Sequence, residues 1–169
     1  LMERVFMNSN NDTNRFALTR FANVAHSNGS VLPFWLKSKK DGKPLRLTDP
    51  EMNRLMFTQK DAAQLIKRTI NWTELRGGGF VKSYKMKCVN MLDLAKFISD
   101  DVEIIGKRPG EKTNEDLVSK NEINRTYLYG QDIHIRMEEN DGDNKLTKPY
   151  NSKTAPNMTE DEMRELVYG

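Results

Sequence analysis

The sequence is poor in residues that build covalent or metal-held frameworks. It has one cysteine, Cys88, and two histidines, His26 and His134, in 169 residues. One thiol cannot form a disulfide within a chain, and neither histidine has a partner at ligand spacing. A disulfide scaffold and a metal centre are therefore excluded as organising features. Cys88 is expected to pack as a small hydrophobe near a strand end. No apolar run reaches membrane length, and no signal-peptide pattern opens the chain. Met2, Val5 and Phe6 share one face and read as a helix. The expected compartment is the cytoplasm, with no membrane partner. Excess charge is also scarce. Lys plus Arg number 27 against 24 Asp plus Glu, a net +3. That bias suits a small anionic ligand and is too weak to argue for nucleic acid.

What the chain does have is 37% hydrophobic and 30% charged residues, the balance of a soluble folded chain with a modest core. Its organising stretch is Phe16–Pro33. The first half, to Val24, is apolar and β-prone, as a strand covered on both faces should be. Ser27–Ser30 is a polar turn. Ser30 reads as the N-cap of a helix that carries Val31, Phe34 and Trp35. Strand, tight loop and helix place Asn23, Ser27 and Ser30 at a strand's carboxyl edge, where helix N–H groups favour an anion.

The rest alternates strands and helices. The helix from Val31 runs to about Lys40, and Asp41–Pro44 ends it. Leu45–Leu47 and Arg54–Phe57 read as short extended pieces. Thr58–Asp61 resembles a capping box for a helix with Ala62, Leu65, Ile66 and Thr69 on one face. Gly77–Gly79 reads as a flexible entry to a strand, Phe80–Tyr84. Asn90 caps a helix whose face is Met91, Leu94, Ala95 and Ile98. Val102–Ile105 is a further strand, followed by a short helix to about Ser119. Tyr127–Tyr129 and Ile133–Met137 alternate like strands. Asp141–Asp143 reads as an exposed turn. Thr159 opens a last helix ending near Val167. The order is mixed α/β.

Few residues offer chemistry. The lysines at 37, 39, 40 and 43 read as a solvated helix face. Gly77–Gly79 lacks the spacing of a dinucleotide fingerprint. His134 reads as structural or exposed, and His26 lies near the ligand edge. Arg54 and Arg108 each stand beside a turn. Two guanidinium groups from separate loops can clamp a diphosphate through paired hydrogen bonds. A surface ion pair, with Glu111 bridging Arg108, is the alternative.

At these residues the chain resembles a family. Arg20–Phe34, Thr48–Arg54, Phe80–Val81 with Asp93–Ala95, and Ile105–Lys112 are similar, in order, to four motifs of the polysaccharide-biosynthesis nucleotide-sugar dehydratases. These are extended short-chain dehydrogenases/reductases. The resemblance is strongest to the inverting UDP-N-acetylglucosamine 4,6-dehydratases. It implies an α/β fold made of the last strands of a Rossmann sheet plus a small substrate-binding subdomain. Residues 1–169 would then be the sugar-nucleotide-binding C-terminal portion, with weaker likeness over 138–169. It also implies that Asn23 binds near the substrate phosphates and that Val31, Leu32 and Pro33 line the nucleotide pocket. Arg54 and Arg108 would hold the diphosphate, and Glu111 a ribose hydroxyl. His26, Asn28, Leu55 and Asn114 depart from the family pattern. The family's Gly-rich cofactor loop and Tyr/Lys catalytic pair have no counterpart here. No catalytic residue is expected in this chain, and NADP or NAD would be held elsewhere, with Ser27 and His26 the only candidate contacts. Expected partners are a UDP-sugar, a second copy, or an N-terminal cofactor half. A nucleotide-sugar epimerase and a nonenzymatic binding module remain open as alternatives.

Overall fold

Residues 16–24 do not form one strand. In a computed structural model, which describes residues 2–139, 142 and 144–169, Ala17–Thr19 (β1) and Asn23–Val24 (β2) lie in separate sheets. Neither is covered on both faces, since all five residues are only half-buried. Arg20 ends β1. Its backbone N–H still donates to the Lys82 carbonyl at 2.9 Å. Its side chain is drawn between Glu3 and Glu122, with Nη1 also donating to the Leu117 carbonyl at 2.7 Å.

That break coincides with a division of the chain into two compact units. The first comprises residues 1–21, 60–85 and 117–150. It begins with the expected helix, Met2–Asn8 (α1), which buries Met7. Its sheet has the order β1, β5 (Phe80–Tyr84), β10 (Asp132–Arg136), β9 (Thr126–Tyr129). β1 runs parallel to β5, while β10 is antiparallel to both neighbours. Val81, Ile133 and Ile135 are fully buried in it. The helix Gln59–Arg76 (α3) buries Ala62, Leu65 and Thr69. Ile66, expected on that face, is 43% exposed. An interior residue of the sheet is also charged. Lys82 is 2% exposed and pairs with Asp132 at 2.9 Å, and Arg68 meets the same carboxylate at 3.0 Å.

Gly77–Gly79 is a close approach rather than a flexible entry. A Cβ on Gly78 would lie 2.1 Å from Asn10 Oδ1 and 2.4 Å from the Phe16 carbonyl. Only a glycine lets these backbones come so near. A second correction concerns residues 113–119, which are not helical. Asp116–Val118 is a strand (β8) that buries Leu117 and Val118. Ser119 caps a 3₁₀ turn, Lys120–Arg125, that follows it. Both aspartates of the acidic turn read at 141–143 lie outside the described residues.

The second unit comprises residues 22–59, 86–116 and 151–169. It has a sheet of order β2, β4 (Asn53–Phe57), β6 (Lys87–Asn90) and a parallel pair, β3 (Leu45–Leu47) with β7 (Val102–Ile104). Three helices pack here: α2 (Val31–Lys40), α4 (Met91–Ile98) and α5 (Glu160–Tyr168). Their apolar faces meet β3, β4 and β6 in one core containing Leu32, Trp35, Leu45, Met56, Leu94 and Leu166. Asn90 caps α4 as expected, its Oδ1 accepting from the N–H groups of Leu92 and Asp93. Thr159 and Glu162 form a reciprocal capping box on α5. Cys88 is buried in β6, and its Sγ donates to the Ser152 carbonyl at 2.8 Å. The remaining strand, Tyr150–Asn151, is β11.

The Arg20 cluster gives the first unit a defined acid response. Burial alone would raise the Glu122 pKa, but hydrogen bonds from Arg20 and the Ser119 backbone overcome it and hold the carboxyl at about 2, against 4.5. A depressed carboxyl contributes stability that is fully present above its unfolded value and lost as pH falls through the folded one. Urea unfolding should therefore show this contribution above pH 4.5 and its decline between 4.5 and about 2. Arg20→Gln should reduce that component of the slope to what the Ser119 hydrogen bonds sustain. An Arg20→Gln profile parallel to wild type throughout this range would show that the pair contributes nothing.

Candidate functional site

The sequence-predicted site residues all fall in the second unit, which places them on one scaffold. Asn23 opens β2, which pairs in parallel with β4 so that Asn23 stands opposite Met56. The Asn23 amide Nδ2 donates to the Leu55 carbonyl at 3.0 Å and to Glu115 Oε2 at 2.9 Å. Arg54 lies near the start of β4, opposite Val89 of β6. Its Nη1 donates to the carbonyls of Asn53 and Thr113, and its Nη2 to that of Lys112 at 2.9 Å. Its Nε lies 3.4 Å from Glu115 Oε1. One carboxylate thus joins the expected amide and the first expected guanidinium.

Glu115 was not legible as a site residue. Its contact with Asn23 spans 92 positions, and no local spacing marks it. The segment that carries it is fastened along β4. The Asn53 N–H donates to the Thr113 carbonyl at 2.9 Å, and the Glu115 N–H donates to Ser152 Oγ at 2.9 Å.

Arg108 sits on the exposed loop that enters this segment. Its backbone N–H donates to Glu111 Oε2 at 3.3 Å, and the Glu111 N–H returns to the Arg108 carbonyl at 3.1 Å. Glu111 therefore closes the turn through the backbone, with Gly110 at φ +81° supplying the left-handed corner. Among the described residues no hydrogen bond or ion pair holds the Arg108 guanidinium. The neighbouring Lys107 is committed to Asp49 at 2.8 Å, and that hydrogen bond keeps the Asp49 carboxyl below the usual carboxylate range.

The helix edge is less open than its sequence suggests. Ser27 Oγ donates to the Val24 carbonyl at 2.9 Å. Ser30 occupies the N-cap position without a side-chain cap bond, and its Oγ is buried with no partner among the described residues. His26 has φ +58°, a left-handed conformation that non-glycine residues adopt rarely. Its Nε2 faces the Leu166 and Val167 carbonyls, each at 3.1 Å, and so carries the proton and binds the end of α5. Val31 is half-buried, Pro33 is exposed and Leu32 is fully buried, so Leu32 can offer a ligand only its backbone.

Among the described residues no group of three or more His, Cys, Asp or Glu could hold a metal ion. Ser27 Oγ and His26 Nε2, on the two residues expected as possible cofactor contacts, are engaged within the chain. No described helix is long and apolar enough to cross a membrane.

β1 pairs in parallel with β5, the 18-residue helix α3 leads into β5, and the other unit carries the Asn23–Glu115–Arg54 cluster; this is a mixed α/β fold of the extended short-chain dehydrogenase/reductase class. Residues 1–137 match the family described as polysaccharide biosynthesis protein, and the chain belongs to that family. It is 36% identical to the capsular polysaccharide biosynthesis protein CapD of Staphylococcus aureus, over 73% of this chain and 22% of that one. It is 30% identical to an uncharacterized membrane protein of Methanocaldococcus jannaschii, over 90% of this chain and 49% of that one. It is 29% identical to a UDP-glucose 4-epimerase of Rickettsia massiliae, over 89% and 48%. A structure of Pen from Bacillus thuringiensis superposes with a TM-score of 0.82 at 25% identity, covering 98% of this chain and 54% of that one. The chain spans about half the length of these relatives, or less.

The bridge through Glu115 is measurable. A double-mutant cycle with Arg54→Gln and Glu115→Gln should give a coupling of about 0.5–1 kcal/mol, as expected for a partly exposed ion pair. Additive losses would show that the two side chains act independently.

Proposed function

We propose that the chain is the sugar-nucleotide-binding portion of a UDP-N-acetylglucosamine 4,6-dehydratase, a hydro-lyase of surface-polysaccharide biosynthesis. The substrate would be oxidised at C4, lose water across C5–C6 and be reduced at C6. The observation that carries the binding role is the convergence of Asn23 and Arg54 on a single carboxylate, beside the loop that presents Arg108. An anion taking the place of Glu115 would meet one amide and one guanidinium already positioned. Arg108 would close on it from the loop, Glu111 would reach a ribose hydroxyl, and Val31 with Pro33 would flank the nucleotide. Four ordered motifs and membership of the polysaccharide biosynthesis family support this reading. The Tyr/Lys pair and the NADP or NAD cradle would come from an N-terminal portion, and the whole enzyme would work in the cytoplasm. β1, paired on one side only, is the natural edge for that portion or for a second copy.

Calorimetric titration with UDP-N-acetylglucosamine tests the clamp. Wild type should bind at least ten-fold more tightly than Arg54→Ala/Arg108→Ala, since loss of two charge-assisted contacts removes about 1.4 kcal/mol or more. Equal affinity for UDP-N-acetylglucosamine in both proteins would end the proposal.

A second reading, a nucleotide-sugar epimerase, is favoured by the match to UDP-glucose 4-epimerases. It shares the clamp and differs in product. Incubation of the intact enzyme with UDP-N-acetylglucosamine should give a 4-keto-6-deoxy sugar, lighter by one water. A product of unchanged mass would establish the epimerase instead.

A further inference from the structure

The first unit holds a pocket that the sugar-nucleotide reading does not use. It has a volume of about 510 Å³, within the range of small-ligand sites, and is walled by Trp72, Arg76, Phe80, Tyr129, His134 and Arg136 together with Gly77–Gly79. Its charge is one-sided, with two arginines and no carboxylate in the wall. Arg76 is exposed at the end of α3 and has no hydrogen bond or ion pair among the described residues. Arg136 is half-buried. Its Nη2 lies 3.4 Å from the Tyr129 hydroxyl and its guanidinium 5.1 Å from the centre of the Tyr127 ring, with no carboxylate partner among the described residues.

The rest of the wall is aromatic and packed around one imidazole. Trp72 meets His134 edge-on at 4.5 Å, Tyr129 meets it at 4.7 Å, and Phe80 stacks on it at 5.2 Å. His134 is 1% exposed, and its Nε2 is buried without a hydrogen-bond partner among the described residues. Such an atom marks a place where a partner is wanted. Burial, with Lys82 and Arg136 nearby, pushes the imidazole pKa down to about 3, so the ring is neutral at physiological pH. It therefore offers a hydrogen bond without a third positive charge. The aromatic wall is held from behind, because the Lys82 ammonium, paired with Asp132, lies 5.0 Å from the centre of the Trp72 ring. The glycines add accessible backbone. Gly77 and Gly79 donate their N–H groups to the Thr73 and Phe16 carbonyls, whereas the Gly78 N–H has no backbone acceptor among the described residues.

We propose that this pocket binds a small organic anion borne on a flat aromatic ring, either a carboxylate or a phosphate ester. The ring lies beside Trp72 and Tyr129. The anionic oxygens take the free N–H groups of Arg76 and Arg136, and the neutral His134 ring stands in the same wall. No residue is shared with the Asn23–Arg54–Glu115 cluster, so this site stands or falls independently of the sugar-nucleotide reading.

The test is a titration of the full chain with benzoate, phenyl phosphate, cyclohexanecarboxylate and inorganic phosphate. Trp72 fluorescence and the amide resonances of Gly77–Gly79 are followed. Benzoate or phenyl phosphate should change both signals saturably at millimolar concentration or below, and the tighter of the two identifies the anionic group. Trp72→Phe should abolish the fluorescence change, and Arg76→Gln/Arg136→Gln should weaken binding roughly ten-fold. Should the double variant unfold, Arg76→Gln alone carries the comparison, since that side chain is exposed. Absence of saturation with both aromatic anions would overturn the proposal. So would equally tight binding of cyclohexanecarboxylate or inorganic phosphate, which would mean that the ring contributes nothing.

Discussion

The guanidinium of Arg20 is fastened at the point where the chain passes from one sheet to the next. It is a strand residue by position, yet its side chain is held by Glu3, Glu122 and the Leu117 carbonyl. The Arg20 backbone keeps its hydrogen bond to the Lys82 carbonyl, and the ladder of β1 with β5 goes no further. A new strand starts at Asn23, beside β4. Had one strand continued through this stretch, its hydrogen bonds would have stayed with β5. The amide of Asn23 would then not stand over Leu55 and Glu115. The candidate site is a consequence of that interruption.

Within the second unit, Arg54 works as a fastener. Its N–H groups take the Asn53, Lys112 and Thr113 carbonyls, and its Nε faces Glu115. These contacts pin residues 112–115 along β4. Arg108 differs in kind, because its loop is set by Glu111 through the backbone while its own guanidinium has no partner among the described residues. An anion arriving here would exchange partners with Arg54 and recruit Arg108. The first process costs the contacts it breaks, and the second costs only the freedom of one exposed side chain. Affinity would thus depend on how well the incoming oxygens replace the carboxylate of Glu115.

Much of the fold was legible because its signals are local. The period of Leu94, Ala95 and Ile98, the Asn90 cap and the Thr159 box each act within one or two turns, and each appears where the sequence placed it. The alternation around Gly130 likewise gave β9 and β10. What failed was set by distant contacts. Apolar content alone made residues 16–24 look continuous, because Glu3 and Glu122 gave no sign that they would capture Arg20. The run after Lys112 looked helical, yet Leu117 and Val118 are both buried in a strand, and the turn begins only once Ser119 can cap it. Asn23 and Arg54, which the motifs single out, meet on one carboxylate, that of Glu115. Glu115 itself was not legible, because its role exists only once two strands and a loop have met.

The same distinction explains His134. Alternation within β10 correctly placed it in a strand, and a histidine in a strand is ordinarily satisfied by a neighbour. Here the neighbours are rings. Trp72, Phe80 and Tyr129 give the imidazole good packing and leave its Nε2 without a partner. A fold that needed only to fill this space would gain from an apolar ring at position 134, because burying an unmet polar atom carries a cost. The cost is offset if the atom has a partner that the chain itself does not supply. Two arginines lining the same cavity, with no carboxylate to meet them among the described residues, give that partner its sign.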